Sequence, residues 1–294
     1  MCFIKNKITK LFVVSLLIIG FYSCSNNDED ALNEKESALK TEQLDVSYGP
    51  GDLQKYDIHL PSNRKKTTTK TFILVHGGSW VSGDKNDMNY LVSMLQTNFS
   101  DYAIVNINYR LASLNKNAFP MQINDIGKVV AHLKANSTNY QISDDYAFIG
   151  VSAGAHLSML YSYKYDVFSN INMVCSIVGP TNFTDTNYIN NLDYSSFVSS
   201  MQLITGVNYN DNQTYYEQLS PYHLATENSP PTILFYGGKD KLIPTSQGID
   251  MHIKLDELKV INEFTLYENE GHGWEGTNAI DTLNKLSAFI NTHF

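Results

Sequence analysis

The chain of 294 residues is 43% hydrophobic and 17% charged, the makeup of a single globular α/β domain and not of a disordered polymer. A formal net charge of −9 argues against nucleic-acid binding, which favours basic patches. The sequence holds no Walker-type loop, Rossmann glycine fingerprint or Cys/His metal cluster, so neither a cofactor nor a metal is expected.

The first element is a leader. Lys5, Lys7 and Lys10 precede an apolar stretch over residues 11–22, too short for an ordinary membrane span. It runs into Gly20-Phe21-Tyr22-Ser23-Cys24, which resembles a bacterial lipoprotein processing site, with Phe21 in place of the usual small aliphatic residue. The resemblance implies a signal peptide over 1–23 and lipidation of Cys24; a plain secretory signal with an incidental cysteine is the alternative. Ser25-Asn26-Asn27-Asp28-Glu29-Asp30 resembles the acidic export signal of Bacteroidetes lipoproteins, which implies the outer membrane or cell surface of a Gram-negative bacterium. Residues 24–43 are polar and aperiodic and read as a lipidated tether reaching about 25 Å, so that the membrane is met through lipid alone. The domain proper is expected over 44–294. Loss of Cys2 with the leader and lipidation of Cys24 leave Cys175 alone, a small residue of a buried strand with no disulfide partner.

Residues 44–47 and 56–60 read as an opening antiparallel hairpin. Apolar runs at 71–76, 102–108, 146–151, 172–178, 232–236 and 263–267 read as buried strands separated by helix-length segments, the pattern of a mostly parallel, helix-flanked sheet. Residues 124–135 illustrate the helices, with Ile126, Val129, Val130 and Leu133 on one face. Residues 181–230, rich in Asn, Tyr and Ser, break the alternation and are expected to form a cap over the active site. Within it Tyr188, Tyr194, Tyr209, Tyr215, Tyr216 and Tyr222 either stack against a sugar or aromatic acyl group or pack the cap itself.

The chemistry-bearing residues lie where these strands end. Gly150-Val151-Ser152-Ala153-Gly154 has strand residues before it and helix formers after it, the setting of a nucleophile elbow. Upstream, after the strand at 71–76, His76-Gly77-Gly78 has the form of an oxyanion loop, whose close-approaching amides offset charge on a former carbonyl oxygen. The donors are assigned to Gly77, Gly78 and Ala153, and His76 is read as orienting that loop. Downstream, Asp240 follows the strand at 232–236 and His272 follows the strand at 263–267, between Gly271 and Gly273. The order Ser152, Asp240, His272 is that of a triad on an α/β-hydrolase sheet. Glu268, Glu270 and Glu275 rival Asp240 by nearness to His272, but read better as a solvated rim. His59, His132, His156, His252 and His293 lack the strand-then-glycine setting of a base.

These residues carry a resemblance over about 44 to the end of the chain. Gln54-Lys55-Tyr56-Asp57-Ile58-His59-Leu60-Pro61, His76-Gly77-Gly78-Ser79-Trp80 with Gly83-Asp84-Lys85, and Asn108-Tyr109-Arg110-Leu111-Ala112 belong to it. So do Phe119-Pro120 with Asp125, the elbow, Leu219-Ser220-Pro221, Gly238-Lys239-Asp240 and Gly271-His272-Gly273. The chain resembles the α/β-hydrolase esterases with a His-Gly-Gly oxyanion loop, the hormone-sensitive-lipase-like group, and among them the Bacteroidetes carbohydrate esterases acting on acetyl and feruloyl esters. It departs from them at Ser79 and Ala155, where glycine is common. The resemblance implies an α/β-hydrolase fold and a serine carboxylesterase acting on small esters or esterified oligosaccharides. An amidase, formamidase or serine peptidase would use the same triad. A non-catalytic glycan-binding lipoprotein is the alternative of another class, disfavoured by a complete triad. Oligomeric state is not written in the sequence.

Overall fold

In the computed structural model, residues 38–294 are described; the expected signal peptide and Cys24 lie outside them. The strands are β1 (Thr41–Ser47), β2 (Lys55–Leu60), β3 (Thr71–Val75), β4 (Ala103–Ile107), β5 (Tyr146–Val151), β6 (Ile171–Ile177), β7 (Thr232–Gly237) and β8 (Asn262–Tyr267). They form one sheet in the order β1-β2-β4-β3-β5-β6-β7-β8. β2 pairs antiparallel with both β1 and β4; from β4 to β8 every pairing is parallel. All residues of β3, β4 and β7 are buried, as expected of parallel strands covered on both faces.

The helices are α1 (Asn89–Asn98), α2 (Met121–Tyr140), α3 (Ala153–Leu160), α4 (Thr186–Ile189), α5 (Ser195–Thr205), α6 (Gln213–Glu217), α7 (Pro221–Leu224), α8 (Ser246–Glu257) and α9 (Gly276–His293). Alternation along the strands divides the core in two. Ile73, Val75 and Phe148 pack with Ile126 and Leu133 of α2, Leu157 of α3 and Met251 of α8. Phe72, Leu74 and Ile149 pack with Val92 and Leu95 of α1 and with Leu286 and Phe289 of α9. The result is a three-layer α/β sandwich, the α/β-hydrolase architecture. Cys175 sits in β6 facing this second core, and burial pushes its thiol pKa upward.

Two boundaries differ from expectation. β1 begins at Thr41, inside the stretch read as tether, because Thr41, Glu42 and Gln43 pair with Leu60, His59 and Ile58 of β2. Ladder hydrogen bonds hold this strand although its side chains are mostly exposed, so no hydrophobic pattern announces it. Helix α2 covers 121–140 where 124–135 was expected. It continues to Tyr140, whose ring is buried and whose hydroxyl lies 3.0 Å from the Tyr56 hydroxyl, and stops where Gln141 turns left-handed at φ 54°.

Between β6 and β7 the chain leaves the sheet for the expected insert, which carries α4 to α7. Phe183 and Phe197 of the insert meet Trp80 in the loop after β3, with ring centroids 5.8 and 6.1 Å apart.

Candidate active site

Ser152 follows β5 directly and caps α3, with φ 52° and ψ −119°. A non-glycine residue at positive φ is strained, and the turn around it tolerates no bulk beside it. A Cβ on Gly150 would lie 2.6 Å from the Ala155 backbone, and one on Gly154 would lie 2.1 Å from the carbonyl oxygen of Val75. The glycines therefore let α3 start against the end of β3, which projects the serine from the sheet's carboxyl edge.

Asp240 and His272 arrive at the same edge from the ends of β7 and β8. His272 Nε2 lies 2.9 Å from Ser152 Oγ, and His272 Nδ1 lies 2.6 Å from Asp240 Oδ2. Since a carboxylate only accepts, Nδ1 carries the proton and Nε2 is left free to receive one from the serine. The Asp240 side chain is 1% exposed and that of His272 is 25% exposed, so the carboxylate is enclosed and the imidazole reaches solvent. Asp240 Oδ1 accepts from the N–H groups of Leu242 at 2.7 Å and Ile243 at 3.0 Å. The rival carboxylates lie elsewhere: Glu268 and Glu275 are exposed, and Glu270 accepts from Asn278.

The loop after β3 lies beside the nucleophile. A Cβ on Gly77 would come within 3.3 Å of Ser152 Cβ, and Gly78, at φ 109°, has the Ser82 carbonyl where a side chain would go. Among the described residues, the N–H groups of Gly77, Gly78 and Ala153 donate to no backbone carbonyl. His76 is buried, with Nδ1 2.6 Å from the Gly77 carbonyl and its ring stacked on Tyr109 at 4.3 Å. Tyr109 donates to the His76 carbonyl at 2.8 Å. Burial lowers the His76 pKa against the opposing effect of its bond to Gly77, which fits a neutral loop-orienting imidazole.

An ion pair with a buried carboxylate fixes the neighbouring loop. Asp125 is fully buried and takes Arg110 through Nε and Nη2, with Gln54 Nε2 adding a third donor at 2.6 Å. Gln122 then donates to the carbonyls of Trp80 and Arg110, tying the loops after β3 and β4 together.

Three residues near the site carry more than the sequence indicated. His156, one turn beyond Ser152, is fully buried among Trp80, Phe119 and Phe183, with Nε2 2.8 Å from the Leu219 carbonyl of the insert. Tyr188 and Tyr194 donate from the insert to carbonyls of the Asp240 loop. Of the six insert tyrosines, Tyr188 and Tyr216 are buried in the insert's own packing, while Tyr194, Tyr209, Tyr215 and Tyr222 are partly buried against it. Among the described residues, no group of three or more His, Cys, Asp or Glu side chains could hold a metal.

Residues 56–255 match the BD-FAE family. The chain belongs to that family of α/β-hydrolase esterases. Among its relatives is the esterase LipC of Mycobacterium tuberculosis, 22% identical over 265 residues. That match covers 84% of this chain and 64% of LipC, so the chain spans less than two thirds of that relative's length. A truncated carbohydrate esterase from gut microbiota superposes with a TM-score of 0.70 at 19% identity, covering 86% of this chain and 98% of that one. A bifunctional GH43-CE protein of Bacteroides eggerthii gives 0.71 at 24% identity, covering 86% of this chain and 38% of that one. These likenesses show the fold this BD-FAE member adopts.

Proposed function

We propose that the protein is a serine carboxylesterase acting through an acyl-enzyme on short acyl or feruloyl esters, with esterified carbohydrates as its substrates. The observation that carries this reading is the unbroken hydrogen-bond chain from Asp240 through His272 to Ser152. The word esterase in the names of its relatives supports the ester; the carbohydrate esterases among proteins of like fold support the sugar.

The chemistry follows from the atoms. A free serine hydroxyl is a weak nucleophile, so His272 Nε2 removes its proton as Oγ attacks the ester carbonyl. Asp240 fixes the imidazole tautomer and offsets the imidazolium charge. The amides of Gly77, Gly78 and Ala153 receive the oxyanion, where losing one such donor costs roughly 3 kcal/mol of transition-state stabilisation. The imidazolium then protonates the departing alkoxide. Water, deprotonated by the same nitrogen, attacks the acyl-enzyme and restores Ser152. The insert over 181–230 serves as the cap beside this site. Cys24, once lipidated, would anchor the domain to the outer membrane through the 24–43 tether.

Purified protein should hydrolyse p-nitrophenyl acetate and release acetate or ferulate from esterified oligosaccharides, and Ser152→Ala should lose about 10³-fold or more in kcat. Faster turnover of formyl-kynurenine or dipeptidyl amides than of any ester would transfer the assignment to an amidase or peptidase. Glycan retention without labelling by a fluorophosphonate would make the chain a binding lipoprotein.

A further inference from the structure

The acid loop, residues 240–245, is held from outside by one short stretch of the insert. At its near end, Tyr194 Oη donates to the carbonyl of Asp240 at 3.1 Å, and Tyr188 Oη donates to the carbonyl of Leu242 at 2.7 Å. At its far end, buried Gln247 accepts through Oε1 from the N–H groups of Thr181 and Asn182, both at 2.8 Å. Asp185 Oδ2 accepts from Ser246 Oγ at 2.5 Å and from Gln247 Nε2 at 2.9 Å. Residues 181–194 thus grip the loop from the Asp240 carbonyl to the start of α8.

One peptide links this grip to the chemistry. The Leu242 carbonyl and the Ile243 N–H belong to the same planar unit, so fixing one fixes the other. Tyr188 holds that carbonyl, and that N–H donates to Asp240 Oδ1 at 3.0 Å, which leaves Oδ2 for His272. Tyr188 is itself immobilised: it is 1% exposed, stacks on Phe197 at 4.2 Å and meets the edge of Tyr194 at 5.5 Å. Burial, reinforced by the nearby Asp240, keeps its phenol protonated and therefore a donor.

We propose that Tyr188, assisted by Tyr194, is a positioning residue for the catalytic acid: its hydroxyl orients the Leu242–Ile243 peptide that aims Asp240 at His272. The proposal rests on the esterase reading above. It gives the insert a part in catalysis distinct from covering the substrate.

Phenylalanine keeps either ring and removes only the hydroxyl, which makes Tyr188→Phe in the full-length protein the informative variant. Its kcat on p-nitrophenyl acetate should fall about tenfold with KM within about twofold of the parent, the pattern of a geometric fault at the reacting groups. The acid limb of its kcat profile should move to lower pH, since a misaligned carboxylate stabilises the imidazolium less. Tyr194→Phe should show a smaller effect, because that side chain is partly exposed and water can replace its hydroxyl. Parental kcat and acid limb in Tyr188→Phe would overturn the proposal. So would a fall in kcat that merely follows the folded fraction while the limb stays in place. Fluorophosphonate labelling separates the two levels: an unlabelled parent sinks the esterase reading, and a labelled parent with unaltered Tyr188→Phe kinetics sinks only the positioning role.

Discussion

Ser152 at φ 52° stores on the order of 1–3 kcal/mol of backbone strain, which the packing of Gly150 and Gly154 sustains. His156, one turn into α3, has its titration perturbed by burial. Burial lowers its pKa to about 4 from 6.5, with the bond to the Leu219 carbonyl opposing that shift in part. Above pH 6.5 neither the folded nor the unfolded chain carries this proton, and the residue adds no pH dependence. As pH falls from 6.5 towards about 4, only the unfolded chain takes up the proton, so stability declines. The loss attributable to His156 is about 3 kcal/mol across that window. Urea unfolding near pH 7 and near pH 4 should therefore show a smaller acid loss in His156→Gln, which keeps a donor towards Leu219, than in the parent. Equal acid losses in the two proteins would refute this account of His156.

Elements place the site by approaching one another more closely than side chains would permit. The start of α3 touches the end of β3 through Gly154, and the loops after β3 and β4 are joined through Gln122, Arg110 and Asp125. Asp125 is fully buried and Arg110 is its cationic partner, so Arg110→Ala leaves the carboxylate with donors only from Gln54 and the backbone N–H of residue 110. That variant should lose about 1–3 kcal/mol of unfolding free energy by denaturant titration, and an unchanged unfolding free energy would contradict the pairing. The elbow and the His-Gly-Gly loop were legible in the sequence because close approach at Gly77, Gly150 and Gly154 and the positive φ of Gly78 force glycine at fixed spacings, whereas Gly271 and Gly273 have open space around them and His272 was marked by its place after a strand. The hold of Tyr188 and Tyr194 on the acid loop was not legible, since the partners are 54 and 46 residues apart and are backbone carbonyls, which leave no mark on the sequence. His156 was hidden for a similar reason: its partner is the Leu219 carbonyl, 63 residues away.

At the scale of the molecule, the central strands could be read because parallel strands buried on both faces appear as continuous apolar runs, as in β3, β4 and β7. The edge strand β1, exposed along most of its length, could not be bounded that way, and its first three residues were read as tether. No helix among the described residues is long and apolar enough to cross a membrane. The proposed attachment of the domain is through Cys24. Radiolabelled palmitate should enter the expressed protein and be lost in Cys24→Ser, and equal incorporation by both would contradict the anchor. In the proposed reaction, Ser152 carries the acyl group between the two halves. Acid-quenched protein mixed with p-nitrophenyl acetate should gain the mass of one acetyl group on the peptide containing Ser152, with an initial burst of nitrophenol. Turnover at an undiminished rate with no adduct on that peptide, or with the adduct on another residue, would contradict it.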